Sequence, residues 1–187
     1  QAKDKEEAET AAKKAAESRA KFGEMKARFD AGNAALDAAK ATKTQMDKLP
    51  RADRASMQPQ LAASTGTAVT EFTAALGVLD PTDANRGLVL ARLGEAYEIT
   101  EKYAEAASTY QLAVAAKPDP ASYNNLGNSL ARTGKVDDAL AAYQKACYLG
   151  LKAGNPEVIV CQNVFASPHP SVLADFKANS VWPYVDT

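Results

Sequence analysis

The sequence predicts an all-α fold: a solenoid of paired helices preceded by a long N-terminal helical hairpin. Three observations carry that reading. Leu93, Gly94, Ala106, Tyr110 and Ala113 recur as Leu126, Gly127, Ala139, Tyr143 and Ala146, each 33 positions later, and a fixed period in that range marks a repeat architecture. The first 49 residues contain no proline and are dominated by Ala and charged residues, a composition that favours helix. Prolines then fall between the remaining apolar runs rather than inside them, as helix boundaries require.

Residues 1–48 read as one helix. Phe22, Met25, Phe29, Gly32, Leu36, Ala39 and Met46 follow a three-then-four spacing that draws a seam along one face. Traced backwards, the seam passes through Ala8, Ala11, Ala15 and Ser18. It is small and weak there, so this part is expected to project from the body or to dock on something else, unless it is only a solvated charged helix. Leu49-Pro50 ends the helix, and Pro59 closes the connection. A second helix is expected over residues 60–79, in which Ala68, Phe72 and Ala75 copy the spacing of Ala106, Tyr110 and Ala113. Its partner is the Phe29–Leu36 region of the first helix, with Gly32 as the point of close contact.

Helices follow near 84–99, 102–116, 120–132 and 136–149. Gly94 with Ala106, and Gly127 with Ala139, let two antiparallel helices approach closely while Tyr110 and Tyr143 fill the space beside the crossing. Thr133-Gly134-Lys135 is a helix-ending turn with glycine where left-handed backbone costs least. Pro118-Asp119-Pro120 separates the two units. Adding the period once more maps Leu126 to Ile159 and Tyr143 to Phe176, so a divergent third unit is expected over 156–178. Val158-Ile159-Val160 reads alternatively as a short β-strand. Trp182 and Tyr184 in the tail read as a cap on the last apolar face. The expected organisation is residues 1–83 as an elongated hairpin whose second helix is repeat-like, 84–150 as two clear repeats, and 151–187 as the divergent repeat and cap.

The pattern L-G-x-x-Y, then Ala, Tyr and Ala, then Lys117-Pro118 resembles the tetratricopeptide repeat (TPR) family, whose unit is a helix-turn-helix of about 34 residues. The match spans Gly87 to Leu149. The resemblance implies a platform for protein partners, in which the first helix of each repeat lines a concave face that takes an extended peptide or a helix. The family's groove positions fall on Glu95, Glu98 and Ile99 in one repeat and on Asn124, Asn128 and Arg132 in the next. An Asn amide can hydrogen-bond a peptide backbone as donor and acceptor, and Arg132 can hold a carboxylate. The same faces read otherwise as solvated helix surface. Asn125 and Asn128 fit part of the clamp by which some members grip chaperone C-termini. Glu95, Gly154 and Val158 stand where that clamp needs Asn or basic residues, which disfavours chaperone-tail binding.

Catalysis finds no support in the sequence. His169 is the only histidine, so there is no His-based metal cluster and no Ser-His-Asp arrangement with a choice of base; between two prolines it reads as a surface turn residue. No glycine-rich phosphate loop or CxxC motif is present, and no cofactor or metal is expected. A formal net charge of −1 gives no global attraction for nucleic acid, and no apolar run approaches the roughly 20 residues that span a bilayer. Cys147 and Cys161 lie seven positions either side of Gly154. They face each other in a disulfide if 150–156 is a bend between antiparallel helices, or remain two buried thiols. A bridge, together with a first residue that is Gln rather than Met, favours an extracytoplasmic protein, periplasmic or secreted. The expected function is a non-catalytic interaction scaffold. The alternatives are a structural subunit of an extracytoplasmic assembly, self-associating through the N-terminal helix, or an accessory subunit of an enzyme complex.

Overall fold

In the computed structural model, which describes residues 2–152, the Ala- and charge-rich N-terminal stretch is a single helix, α1 (Ala2–Lys48). A short 3₁₀ turn (Arg54–Met57) leads into α2 (Gln58–Val78), followed by α3 (Arg86–Ile99), α4 (Tyr103–Ala116), α5 (Pro120–Arg132) and α6 (Val136–Lys152). The described residues are all-α, with three successive helix pairs: α1 with α2, α3 with α4, and α5 with α6. They fall into two compact units, one up to Lys117 and one from Pro118 onward. The expected third repeat at 156–178, its strand alternative at 158–160 and the aromatic cap at Trp182 and Tyr184 lie outside the described residues.

Helix ends are closed by side chains that the periodicity did not reveal. The last carbonyls of a helix have no partner inside it. Arg54 supplies one for α1, donating from Nε to the Leu49 carbonyl (3.1 Å) and from Nη2 to that of Asp47 (3.2 Å). Arg86 repeats the device on α2, donating to the carbonyls of Leu76 and Leu79 at 3.3 and 3.2 Å. At the start of α5, the Asp119 carboxylate accepts from the Ser122 amide at 2.8 Å and Pro120 fills the first turn, a side-chain cap of the strongest kind.

The seam on α1 is buried from Met25 onward: Met25, Leu36, Ala39 and Met46 lie in the core with Leu61, Ala68, Phe72 and Ala75 of α2. The pairing is antiparallel, with Gly32 under Phe72 and Met46 against Leu61. Phe29 and Phe72 stack at a tilt, their ring centres 5.8 Å apart, within the range where aromatic pairs add to simple burial. Val89, Leu93 and Ala96 of α3 complete this core. Phe22 departs from the expected seam. It is 57% exposed, because α2 ends at Val78 and reaches no further along α1. Every described side chain from Lys3 to Glu24 is exposed, so about six turns of α1 run ahead of their partner.

The close approaches expected at glycine are present in all three pairs. A Cβ built on Gly32 would stand 2.6 Å from the Phe72 ring, on Gly94 2.7 Å from Tyr110, and on Gly127 2.5 Å from Tyr143. An aromatic ring on the second helix therefore lies close against bare backbone on the first. The turns differ. Gly134 ends α5 with φ +80°, as its position suggests, whereas the equivalent residue after α3 is Glu101 with φ +60°. A side chain in the left-handed region costs roughly 1–2 kcal/mol, a strain the sequence did not advertise.

Candidate functional site

The surface to test is the face of α3 and, separately, the face of α5, each the first helix of a pair. Each is shaped by the tyrosine that packs behind it. The Tyr110 ring is fully buried over Gly94, and its hydroxyl donates to Glu98 Oε2 at 2.8 Å. Tyr143 crosses Gly127 in the same way, and its hydroxyl donates to Asn128 Oδ1 at 2.8 Å. A buried phenol needs such a partner. In the α1–α2 pair Phe72 replaces tyrosine, and the residue four after the glycine is the buried Leu36 instead of Glu98. Hydroxyl and acceptor are present together or absent together.

On α3, the sequence-derived residues are drawn into the body. Glu95 accepts from Lys40 of α1 at 2.6 Å and from Arg92 at 3.0 Å, leaving its side chain 21% exposed. Glu98 holds Tyr110. Ile99 packs, partly buried, against the cluster around Leu36 and the cluster around Met46. Lys43 reaches Glu101 at 3.6 Å, so α1 sets two ammonium groups along this side of α3. Exposed pairs of this sort are worth at most about 1 kcal/mol each; their effect is to fix the register of α1 against α3. Arg92 was missed by sequence reasoning although it stands 33 positions before Asn125. Its Nε is buried with no hydrogen-bond partner among the described residues, an uncommon state for a guanidinium. The same alignment that found Asn125 would have found it. Lys40 was not findable in that way, because the α1–α2 hairpin does not follow the period.

On α5, Asn124, Asn125 and Asn128 are all half-buried, and Arg132 is exposed in the last turn. Asn128 is tied to Tyr143 through its oxygen, which leaves its amide N–H groups directed by that bond. Asn124 and Asn125 stand on the same helix one turn before Asn128, and Arg132 one turn after it. Cys147 on α6 is 5% exposed; its pairing with Cys161 lies outside the described residues, as do Gly154 and Val158 of the expected clamp. No described helix is long and apolar enough to cross a membrane.

Two family models match the chain. Both describe a tetratricopeptide repeat, one over residues 89–120 and the other over residues 120–150. These spans coincide with the α3–α4 and α5–α6 pairs. The comparison with curated proteins finds no match.

Proposed function

From a chain that is a tetratricopeptide repeat protein over residues 89–150, we propose that the repeats act as a non-catalytic scaffold, holding a segment of a partner protein along their first helices. The observation that carries this reading is the division of labour within each repeat. The glycine–tyrosine contact and its hydrogen bond occupy the inner side of the pair. Along α5 stand the half-buried Asn124 and Asn125 and the exposed Arg132, side chains of the kinds suited to a peptide backbone and a carboxylate. Apolar burial supplies the binding energy in such a scheme, and the polar groups set register. Residues 1–83 serve as an elongated, repeat-like first unit, and its Lys40 holds Glu95 in place.

A quantitative affinity capture tests the proposal. Immobilised chain is compared with a variant carrying Asn124→Ala, Asn125→Ala and Arg132→Glu. Asn128 is left intact because it holds Tyr143. A discrete set of proteins lost from the variant, while its helical signal and melting are unchanged, is the expected result. Identical capture profiles would remove the α5 face from the proposal. The other reading, a structural subunit, draws on the exposed start of α1.

A further inference from the structure

The seam that α2 covers does not stop where α2 stops. It runs on towards the N-terminus through Phe22, Ser18, Ala15, Ala11 and Ala8 in unbroken three-and-four steps, all exposed. This is the a/d line of a heptad pattern. From Lys14 onward the residues that flank it, the e and g positions, are Lys14, Arg19, Lys21, Lys26 and Arg28; ahead of them the flanks are Glu7 and Ala12. These five are all basic and exposed; the acidic residues Glu9, Glu17 and Glu24 stand off the flanks. Where the seam is already covered, the structure shows what such a flank selects: Arg28 pairs with Glu71 of α2 at 3.2 Å. Lys26 meets Asp30 on its own helix.

We propose that residues 8–24 of α1 are a docking strip for an amphipathic helix of a partner protein, one with a small apolar seam and acidic flanks. The strip continues an established interface, and the partner takes the place along α1 that α2 takes further on. Its charge decides the occupant. In a second copy of this chain, Lys14 and Lys21 would meet Arg19 and Lys26 in the parallel arrangement, or their own like in the antiparallel one, and like charges at these positions repel. An anionic bilayer would satisfy the lysines, but Ala and Ser along the seam present little to bury in lipid compared with the bulky residues of interfacial helices. Small residues instead favour close helix–helix approach. The strip shares no residue with the faces of α3 and α5, so it stands or falls independently of the function proposed above.

The test uses the full chain and a fluorescently labelled helical peptide three heptads long, with Leu and Ala at the seam and Glu at both flanks. Its controls are the same peptide with Lys flanks and one of equal composition with the seam scrambled. Saturable binding of the Glu-flanked peptide alone is expected, weakened roughly tenfold or more at high salt because the flanks are screened, and by Phe22→Ser or by Lys14→Glu with Lys21→Glu. The Asn124→Ala, Asn125→Ala, Arg132→Glu variant should bind the peptide like wild type. Equal binding of the controls, or no saturable binding, overturns the proposal. Self-association by light scattering that is abolished by Phe22→Ser overturns it in favour of a second copy. Sedimentation with phosphatidylserine vesicles that the Glu-flanked peptide does not compete away overturns it in favour of a membrane. Should Phe22→Ser fail to fold, the charge reversals carry the same comparison.

Discussion

The α3–α4 and α5–α6 pairs share a skeleton and differ in nearly every polar detail. Both lay a tyrosine ring on a glycine, and both bury Ala at the crossing, Ala106 in one and Ala139 in the other. The hydroxyl of the first pair goes to Glu98 and that of the second to Asn128, residues three positions apart once the 33-residue offset is removed. The first pair starts at Asn85, whose side chain makes no cap bond; the second starts at Asp119, whose side chain does. The first turns at a strained Glu101, the second at Gly134. A close-packed contact tolerates one solution, whereas a hydroxyl or a helix end can be satisfied from several neighbouring positions. The skeleton is therefore repeated and the polar groups are improvised around it.

The glycine contacts should show the largest effect. Gly94→Ala and Gly127→Ala each push a methyl into an aromatic ring and are expected to lower stability by about 1–3 kcal/mol, read as a fall in the urea midpoint. Gly66→Ala and Gly77→Ala, where an added Cβ meets nothing within 4 Å, should raise it by about 0.5–1 kcal/mol through helix propensity. If all four behave alike, propensity and not packing governs these sites.

Helix capping separates the pairs by a smaller margin. Asp119→Ala should cost about 1 kcal/mol, whereas Asn85→Ala should cost less, since the Asn85 side chain bonds back to Asp83 and caps no helix amide. Thermal melts of the two variants make the comparison; equal losses would mean the Asp119–Ser122 bond contributes nothing beyond what Asn85 does.

The turns give the smallest and most direct test. Glu101→Gly should stabilise by about 0.5–1 kcal/mol, the relief of left-handed strain being partly offset by a more flexible unfolded chain. Gly134→Ala should act in the opposite sense and by a similar amount. A destabilised Glu101→Gly would mean that the 3.6 Å pair with Lys43 outweighs the backbone strain.

The groove residues show where reading the sequence succeeds and where it stops. Adding one period to Gly94, Ala106 and Tyr110 locates the skeleton of the next unit, because small and aromatic residues have one role at a crossing. The fates of Glu95 and Glu98 were not readable in this way. One is held by Lys40, 55 residues away, and the other by Tyr110, and a carboxylate carries no sign of which cation or hydroxyl will reach it. Phe22 failed for a related reason: it satisfies the seam perfectly, but burial needs a partner, and the length of α2 decides where the partner ends.

By itself the sequence determined that the described residues are helical, where each of their helices begins and ends to within a few residues, and which residues of each pair touch at the crossing. Periodicity, proline placement and side-chain size are local properties, so they can be read locally. Only the tertiary structure decided that Arg54 and Arg86 close the helices before them, that α1 supplies the cations beside α3, and that six turns of α1 remain uncovered. Each of these depends on distances between residues far apart in the chain, and long flexible side chains have many partners within reach until packing selects one.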